Sequence, residues 1–232
     1  MTNMMIRQAE LGLNEPGWVR GAASHMAQAV RARGIRHVLH FTPLDNLPGI
    51  LGRGLIARSQ LQDEAVLFPD QYRLDGRLDW ISTSLSFPNY GLFFRKRCDL
   101  PSVQWAVLLL DPSILWRLDC LFVPGNAASS HYRHQEDSHF EGVDAFERLF
   151  EGECRWQNLD DSQPTDPQAE VLVRDHSPAQ YIQAVAGRDD FDLEALGPSL
   201  RPHAAVMPHW FQKREDHYHR VGYVSSLENI QL

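Results

Sequence analysis

Two short stretches of this 232-residue chain carry polar side chains where apolar strand sequence would otherwise run. In Gln168-Ala169-Glu170-Val171-Leu172-Val173 a single carboxylate, Glu170, heads an apolar run bounded by Pro167 and by Arg174-Asp175-His176. Val171 and Val173 are β-branched and Leu172 is large, so the run reads as a short buried strand. Desolvating a carboxylate at the head of such a strand costs free energy unless the group has a partner or a task. Taken alone, the motif is also met by a strand-edge glutamate paired with an arginine or left in water. The second stretch, His40-Phe41-Thr42, sets two polar side chains at alternate positions, hence on one face of a strand. It exits toward Pro43-Leu44-Asp45, a helix start whose N-terminus favours anions. A strand-end histidine beside a capping threonine fits the same residues. Together the stretches offer a carboxylate and an imidazole that could work on one ligand.

Composition bounds what that ligand could be. At 26.5 kDa, with 43% hydrophobic and 22% charged residues, the chain suits one large domain with a real core, or a domain with an appendage. Lys and Arg total 22 against 30 Asp and Glu, a formal net charge of −8. Proteins that coat nucleic acid non-specifically are usually basic, because phosphate contacts dominate that affinity. The balance argues against such a coat, but not against an enzyme that grips a few nucleotides in a local basic cleft. Arg31, Arg33, Arg36 and His37 form one basic cluster and Arg95-Lys96-Arg97 another; each also reads as a solvated face. Three cysteines without a C-x-x-C pair, no bilayer-length apolar run and no signal-peptide core predict a cytosolic protein. His131, His134 and His139 with Cys154 match no standard zinc spacing, so no metal is expected. Asp160, Asp161 and Asp166 lie in loop sequence and read as solvated.

The elements that must position these side chains follow from periodicity. Asn14-Glu15-Pro16 predicts the start of a helix running to Gly34, with Val19, Ala22, Ala23, Met26 and Val30 on its apolar face. Residues 36–41 read as a strand. Thr42 then serves as cap, Pro43 suits the first turn, and Leu44, Leu47, Ile50 and Leu51 recur at helical spacing up to the stop at Gly54. Residues 59–78 read as a long loop. Residues 78–85, 103–110 and 118–123 read as strands, the middle one so apolar that it must be central. Residues 86–91 form a turn into Leu92-Phe93-Phe94. Residues 129–141 and 158–167 read as surface loops around a helix over 143–150. The segment 181–185 reads as the last strand, and Trp210, Phe211 and Tyr218 suggest that the proline-punctuated tail docks. The sum is an α+β domain around a split or sandwiched mixed sheet with short flanking helices.

The string HFTPLDNLPGILGRGLIAR, followed by a serine/aromatic strand and then QAEVLV, resembles the DarT family of ADP-ribosyltransferase toxins over residues 35–186. Its specific positions are His40, Thr42, Asn46-Leu47, Ile50-Leu51, Gly54-Leu55 and Arg58. Pro124-Gly125-Asn126-Ala127 looks like the family's D-G-H/N-A segment, with Pro124 where an aspartate is common and Asn126 in place of a histidine. The resemblance implies the fold of other ADP-ribosyltransferases and transfer of ADP-ribose from NAD to a base in single-stranded DNA. It implies a catalytic domain over 35–187; the two ends lie outside it and are read from their own residues as a helical extension over 1–34 and a docked tail over 188–232.

Roles follow residue by residue from the same likeness. Breaking the nicotinamide–ribose bond passes through an oxocarbenium-like state, as in glycoside hydrolysis. A carboxylate near the ribose helps most as that charge develops, the part given to Glu170, which could also take a proton from the acceptor base. His40 and Thr42 would hold NAD with Asn46 and Leu55, and Arg58 would face the pyrophosphate or the acceptor. Ser82-Thr83-Ser84 matches the Ser-Thr-Ser strand of other ADP-ribosyltransferases, which points to Ser82 and Ser84. Tyr90 is the candidate for stacking on nicotinamide. Asn126, Arg95 and Lys96 would meet the DNA. The implied partner is a macrodomain antitoxin resembling DarG, and the implied state a cytoplasmic monomer. Two alternatives stay open: the same chemistry on RNA or protein, and a non-catalytic nucleotide-binding module of the same fold.

Overall fold

The computed structural model describes residues 17–61, 75–189 and 204–217. Its frame is a seven-stranded sheet, and the reason for it begins with β4, Trp105–Leu110, whose six residues are all buried. Trp105, Val107 and Leu109 face one apolar cluster; Ala106, Leu108 and Leu110 face another. A strand covered on both faces loses the usual polar alternation, which is why this run reads as continuously apolar. β4 pairs antiparallel with β1, Val38–Pro43, through six residue pairs from Val38↔Leu110 to Pro43↔Trp105.

β1 therefore reaches two residues further than the sequence suggests. Thr42 is a strand residue opposite Ala106, not a helix cap. The ladder with β4 outcompetes capping here, and Leu44 continues it by donating to the Gln104 carbonyl at 2.9 Å. The chain then makes a 3-10 turn, Leu44–Asn46, before α2, Leu47–Arg53. The preceding helix, α1, spans Gly17–Ala32. Met26, Ala27 and Val30 are its buried side chains, whereas Ala22 is exposed, so the apolar stripe is rotated from the one expected. The expected cap at Asn14–Pro16 and the docking aromatic Tyr218 lie outside the described residues, as does most of the loop read over 59–78.

After β2, Leu55–Ile56, the sheet is completed by β3, Trp80–Leu85; β5, Cys120–Val123; β6, Glu170–Arg174; β8, Ile182–Gly187; and β9, Ala204–Val206. The strand order is β5-β6-β3-β1-β4-β8-β9, and β2 pairs apart with β7, His176–Ser177. All pairs are antiparallel except β8 with β9. β8 is thus not the last strand. Three small residues between Pro202 and Pro208 give no readable period, and their pairing with β8 is settled by tertiary contact.

A second correction concerns residues 86–99. They hold α3, Tyr90–Asp99, capped by the Asn89 side chain, which accepts from the Leu92 amide at 3.1 Å. α4, Ile114–Arg117, and α5, Gly142–Arg148, complete the helices among the described residues, and α1 packs on both. Phe93 of α3 meets Phe41, Trp105 and Phe211, so the tail's Trp210 and Phe211 close the cluster that Trp105, Val107 and Leu109 face. Arg97 lies over the Phe93 ring and donates to the Phe211 carbonyl at 2.7 Å; burial lowers its pKa from the usual arginine value. Among the described residues no helix is long and apolar enough to cross a membrane.

Gly54 closes α2 with φ 88° and ψ −176°, a region open essentially to glycine alone. A Cβ there would sit 2.2 Å from the Ser177 carbonyl oxygen. Gly54→Ala is expected to cost at least about 2 kcal/mol, read as a lower midpoint in urea denaturation.

Candidate active site

Along β1 and β3 the ladder is short. Two registered pairs, Val38↔Leu85 and Leu39↔Ser84, join the strands, whereas β1 keeps six pairs with β4. Beyond Leu39 no further pair joins the two strands. The His40 ring reaches β3, with Nδ1 2.9 Å from the Ser82 carbonyl oxygen. Ser82 is half-buried, and its hydroxyl donates to Glu170 Oε2 at 2.5 Å. A single residue of β3 therefore bridges the histidine of β1 and the carboxylate of β6. At 8% exposure the Glu170 side chain is not left in water, the solvated form of the strand-edge reading.

Glu170 is 8% exposed. Its position is fixed by antiparallel pairing of β6 with β3 on one side and β5 on the other, the latter placing Val123 opposite Glu170. Thr83, buried, stitches the same seam by donating to the Val171 carbonyl at 2.7 Å. The second carboxylate oxygen, Oε1, accepts from the Ala127 amide at 3.2 Å. That donor comes from the loop after β5, a contribution that a side-chain reading of the sequence misses because it is backbone. Gly125 lets this loop lie close: a Cβ there would meet the Tyr132 ring at 2.9 Å. Burial and the nearby Asp166 carboxylate both raise the Tyr132 pKa above its ordinary value.

The remaining expected site residues divide by place. Thr42 is buried, and its Oγ1 accepts from Asn46 Nδ2 at 3.2 Å, so those two form one polar unit where β1 ends. Leu55 is 4% exposed within the main core, leaving only its backbone for any ligand, and that backbone pairs with Ser177. Arg58 starts a 3-10 turn, Arg58–Gln60, hung from Asp175 through the Ala57 amide. Asp175 follows the far end of β6, roughly 17 Å along the strand from Glu170 at about 3.3 Å per residue. Any approach of Arg58 to Glu170 is made by its long side chain.

Ser84 shares a face with Ser82 but serves the backbone: buried, its Oγ accepts from the Asn89 amide at 3.2 Å and shapes the turn into α3. Tyr90 opens that helix, and its hydroxyl lies 2.9 Å from His217 Nδ1 in an edge-to-face pair. Asn126 closes its own loop, accepting from the Ala128 amide through Oδ1 at 2.9 Å. Arg95 is exposed and Lys96 half-buried, both past the middle of α3. Asp160 and Asp166 accept from nearby backbone amides at Ser162 and Gln168, and Asp160 is held below the usual carboxylate pKa by its Ser162 hydrogen bonds. His131, His134 and His139 are exposed, and among the described residues no group of three His, Cys, Asp or Glu could hold a metal. An open groove of about 690 Å³ runs between Pro124, Tyr132 and α5, beside rather than over Glu170.

The arrangement suits stabilisation of positive charge that develops on a bound molecule. The Glu170 carboxylate is held by two donors, the Ser82 hydroxyl of a strand and the Ala127 amide of a loop, and the His40 imidazole lies on the Ser82 carbonyl beside it. Such electrostatic preorganisation costs no reorganisation as charge appears.

The sequence profile described as ssDNA thymidine ADP-ribosyltransferase, DarT, matches residues 39–212. Among solved structures, Thermosipho africanus DarTG in complex with ADP-ribose aligns with a TM-score of 0.53 and 20% identity. The alignment covers 76% of this chain and 51% of that one, so the chain spans about half of its length. Thermus sp. 2.9 DarT in complex with ADP-ribosylated ssDNA aligns with a TM-score of 0.50 and 15% identity, covering 77% of this chain and 97% of that one. At these identities the likeness is one of fold. No curated protein matches the chain.

The two serines of β3 separate in a stability measurement. Ser84→Ala leaves the buried Asn89 amide without its acceptor and is expected to cost about 1–3 kcal/mol, seen as a lower melting temperature.

Proposed function

The chain belongs to the DarT family of single-stranded-DNA thymidine ADP-ribosyltransferases, and we propose that it moves ADP-ribose from NAD to a thymidine base at the point where the pairing of β1 with β3 ends. The observation that supports this most directly is the Ser82 bridge, which joins the His40 ring to the Glu170 carboxylate. In the proposed reaction the Glu170 carboxylate faces the ribose as the nicotinamide bond breaks. It favours the oxocarbenium-like transition state over the ground state, which is what raises kcat. The Ser82 hydroxyl and Ala127 amide keep that carboxylate in place. Glu170 then takes a proton from the acceptor base. His40 and the Thr42–Asn46 unit hold the NAD, and the Arg58 guanidinium meets its pyrophosphate. Tyr90 borders the nicotinamide end, while Asn126 with Arg95 and Lys96 meets the DNA.

Residues 35–187 form the catalytic unit in this reading, carrying the 1–34 extension and the 188–232 tail on the same body. The protein acts in the cytoplasm as a monomer and is held in check by a macrodomain antitoxin. The name DarTG of the Thermosipho africanus protein, of which this chain spans about half, supports that partner. Three free cysteines accord with a reducing compartment.

Mass analysis of thymidine-containing single-stranded oligonucleotides after exposure to the protein and NAD is the direct test. An ADP-ribose adduct on thymidine is expected, and Glu170→Gln should lower its rate at least about 10³-fold while NAD binding persists. Adducts confined to RNA or protein would replace the acceptor assignment. Equal function of wild type and Glu170→Gln would mean a non-catalytic nucleotide-binding module.

A further inference from the structure

The segment after the aromatic turn at Pro208–Phe211 carries a charged pair that the proposed reaction does not use. Arg214 and Asp216 are 2% and 1% exposed, the most deeply buried ion pair among the described residues. The guanidinium makes four hydrogen bonds. Nε and Nη2 donate to Asp216 Oδ1 and Oδ2 at 2.7 and 2.8 Å, Nη1 to the Pro164 carbonyl at 2.7 Å, and Nη2 to the Thr165 carbonyl at 3.1 Å. A buried ion pair adds little net stability, because desolvation offsets the attraction; what it fixes is geometry.

The geometry fixed here is the approach to Glu170. Thr165 is itself buried, donates to the Leu149 carbonyl, and has its hydroxyl beside Arg155. From there five residues lead to the carboxylate. They form a braced leg, in which Asp166 accepts from the Ala169 amide at 3.0 Å and, through Oδ1, from the Gln168 amide at 2.8 Å. These two bonds make the leg a tight turn between Thr165 and the start of β6. The same tail segment also touches the start of α3. His217 donates its amide to the Arg214 carbonyl at 3.0 Å, and its ring pairs with Tyr90 at the start of α3.

We propose that Arg214, held by Asp216, is a positioning residue for ADP-ribose transfer: it clamps Pro164 and Thr165 so that Glu170 keeps its place against Ser82 and Ala127. The inference rests on the function proposed above. It concerns residues past 212, where the family match ends. A lysine could not replace the fork, because a point charge cannot serve a carboxylate and two carbonyls in one plane.

The test replaces the pair by apolar residues, Arg214→Met with Asp216→Leu, an exchange that buried ion pairs often tolerate without loss of stability. Three readouts are taken on the full chain: melting temperature, steady-state transfer to a thymidine oligonucleotide, and amide hydrogen exchange over 165–170. A folded variant is expected with KM for NAD within about threefold of wild type. Its kcat should fall about 10- to 100-fold, since a shift of about 1 Å at a reacting group costs that much. Exchange over 165–170 should rise. Unchanged kcat in the folded variant, or a loss no larger than its unfolded fraction explains, overturns the proposal. So does unchanged exchange. If the double variant does not fold, Asp216→Asn, which keeps shape and one acceptor, carries the same three readouts. An inactive wild type would overturn the proposed function instead, and the exchange measurement would still decide the clamp.

Discussion

Between β1 and β3 the ladder closes with Val38 opposite Leu85 and Leu39 opposite Ser84, and then the pairing stops. Everything at the candidate site depends on that stop. Were β1 and β3 paired along their whole length, the Ser82 carbonyl would be a ladder acceptor and unavailable to the His40 ring. The seam can be this short because neighbouring pairings carry the load. β1 is held by six residue pairs to β4, and β3 is held to β6 from Trp80 to Thr83. Two well-formed half-sheets thus tolerate a weak join, and the join is where polar groups can be buried with partners instead of water.

Burial of Glu170 illustrates the balance. A carboxylate among Trp80, Leu121, Val123 and Leu172 would be costly if unpaired. Two donors from separate elements offset that cost, and because they come from a rigid sheet and a glycine-shaped loop they also fix direction. One of these bonds comes from a side chain and one from backbone. The start of α3 is arranged differently: Ser84 and Asn89 serve its turn and cap, so that Tyr90 is placed by local structure rather than by a ladder. The tail then reaches both α3, through Phe211, and the loop that leads to β6, through Arg214.

Much of the frame was legible from residue order because burial writes itself into periodicity. The Trp105–Leu110 run announced a central strand, and QAEVLV announced a buried strand headed by an acid. The elements that went unread are those whose stability comes from elsewhere. α3 carries Phe93 inward but also exposed Phe94 and three consecutive basic residues, so its stripe is blurred, and Asn89 was the one local sign of a helix start. β9 is three residues long and exists through β8. Thr42 reads as a cap because cap and strand-end residues look alike, and the partner strand β4 makes the choice.

The sequence by itself determined which residue types stand at which alternate positions: an acid before a buried strand, a histidine and a threonine two apart, two serines two apart, and a string specific enough to resemble one family. Those follow from local chemistry and from the two-residue period of a strand. Only the tertiary structure decided that Ser82 and Ser84 take different parts, that the second donor to Glu170 is the backbone of Ala127, and that a charged pair in the tail reaches Thr165. Each of these is a meeting of segments far apart in the chain. No local pattern encodes such a meeting, because it is fixed by strand order, register and the packing that selects them.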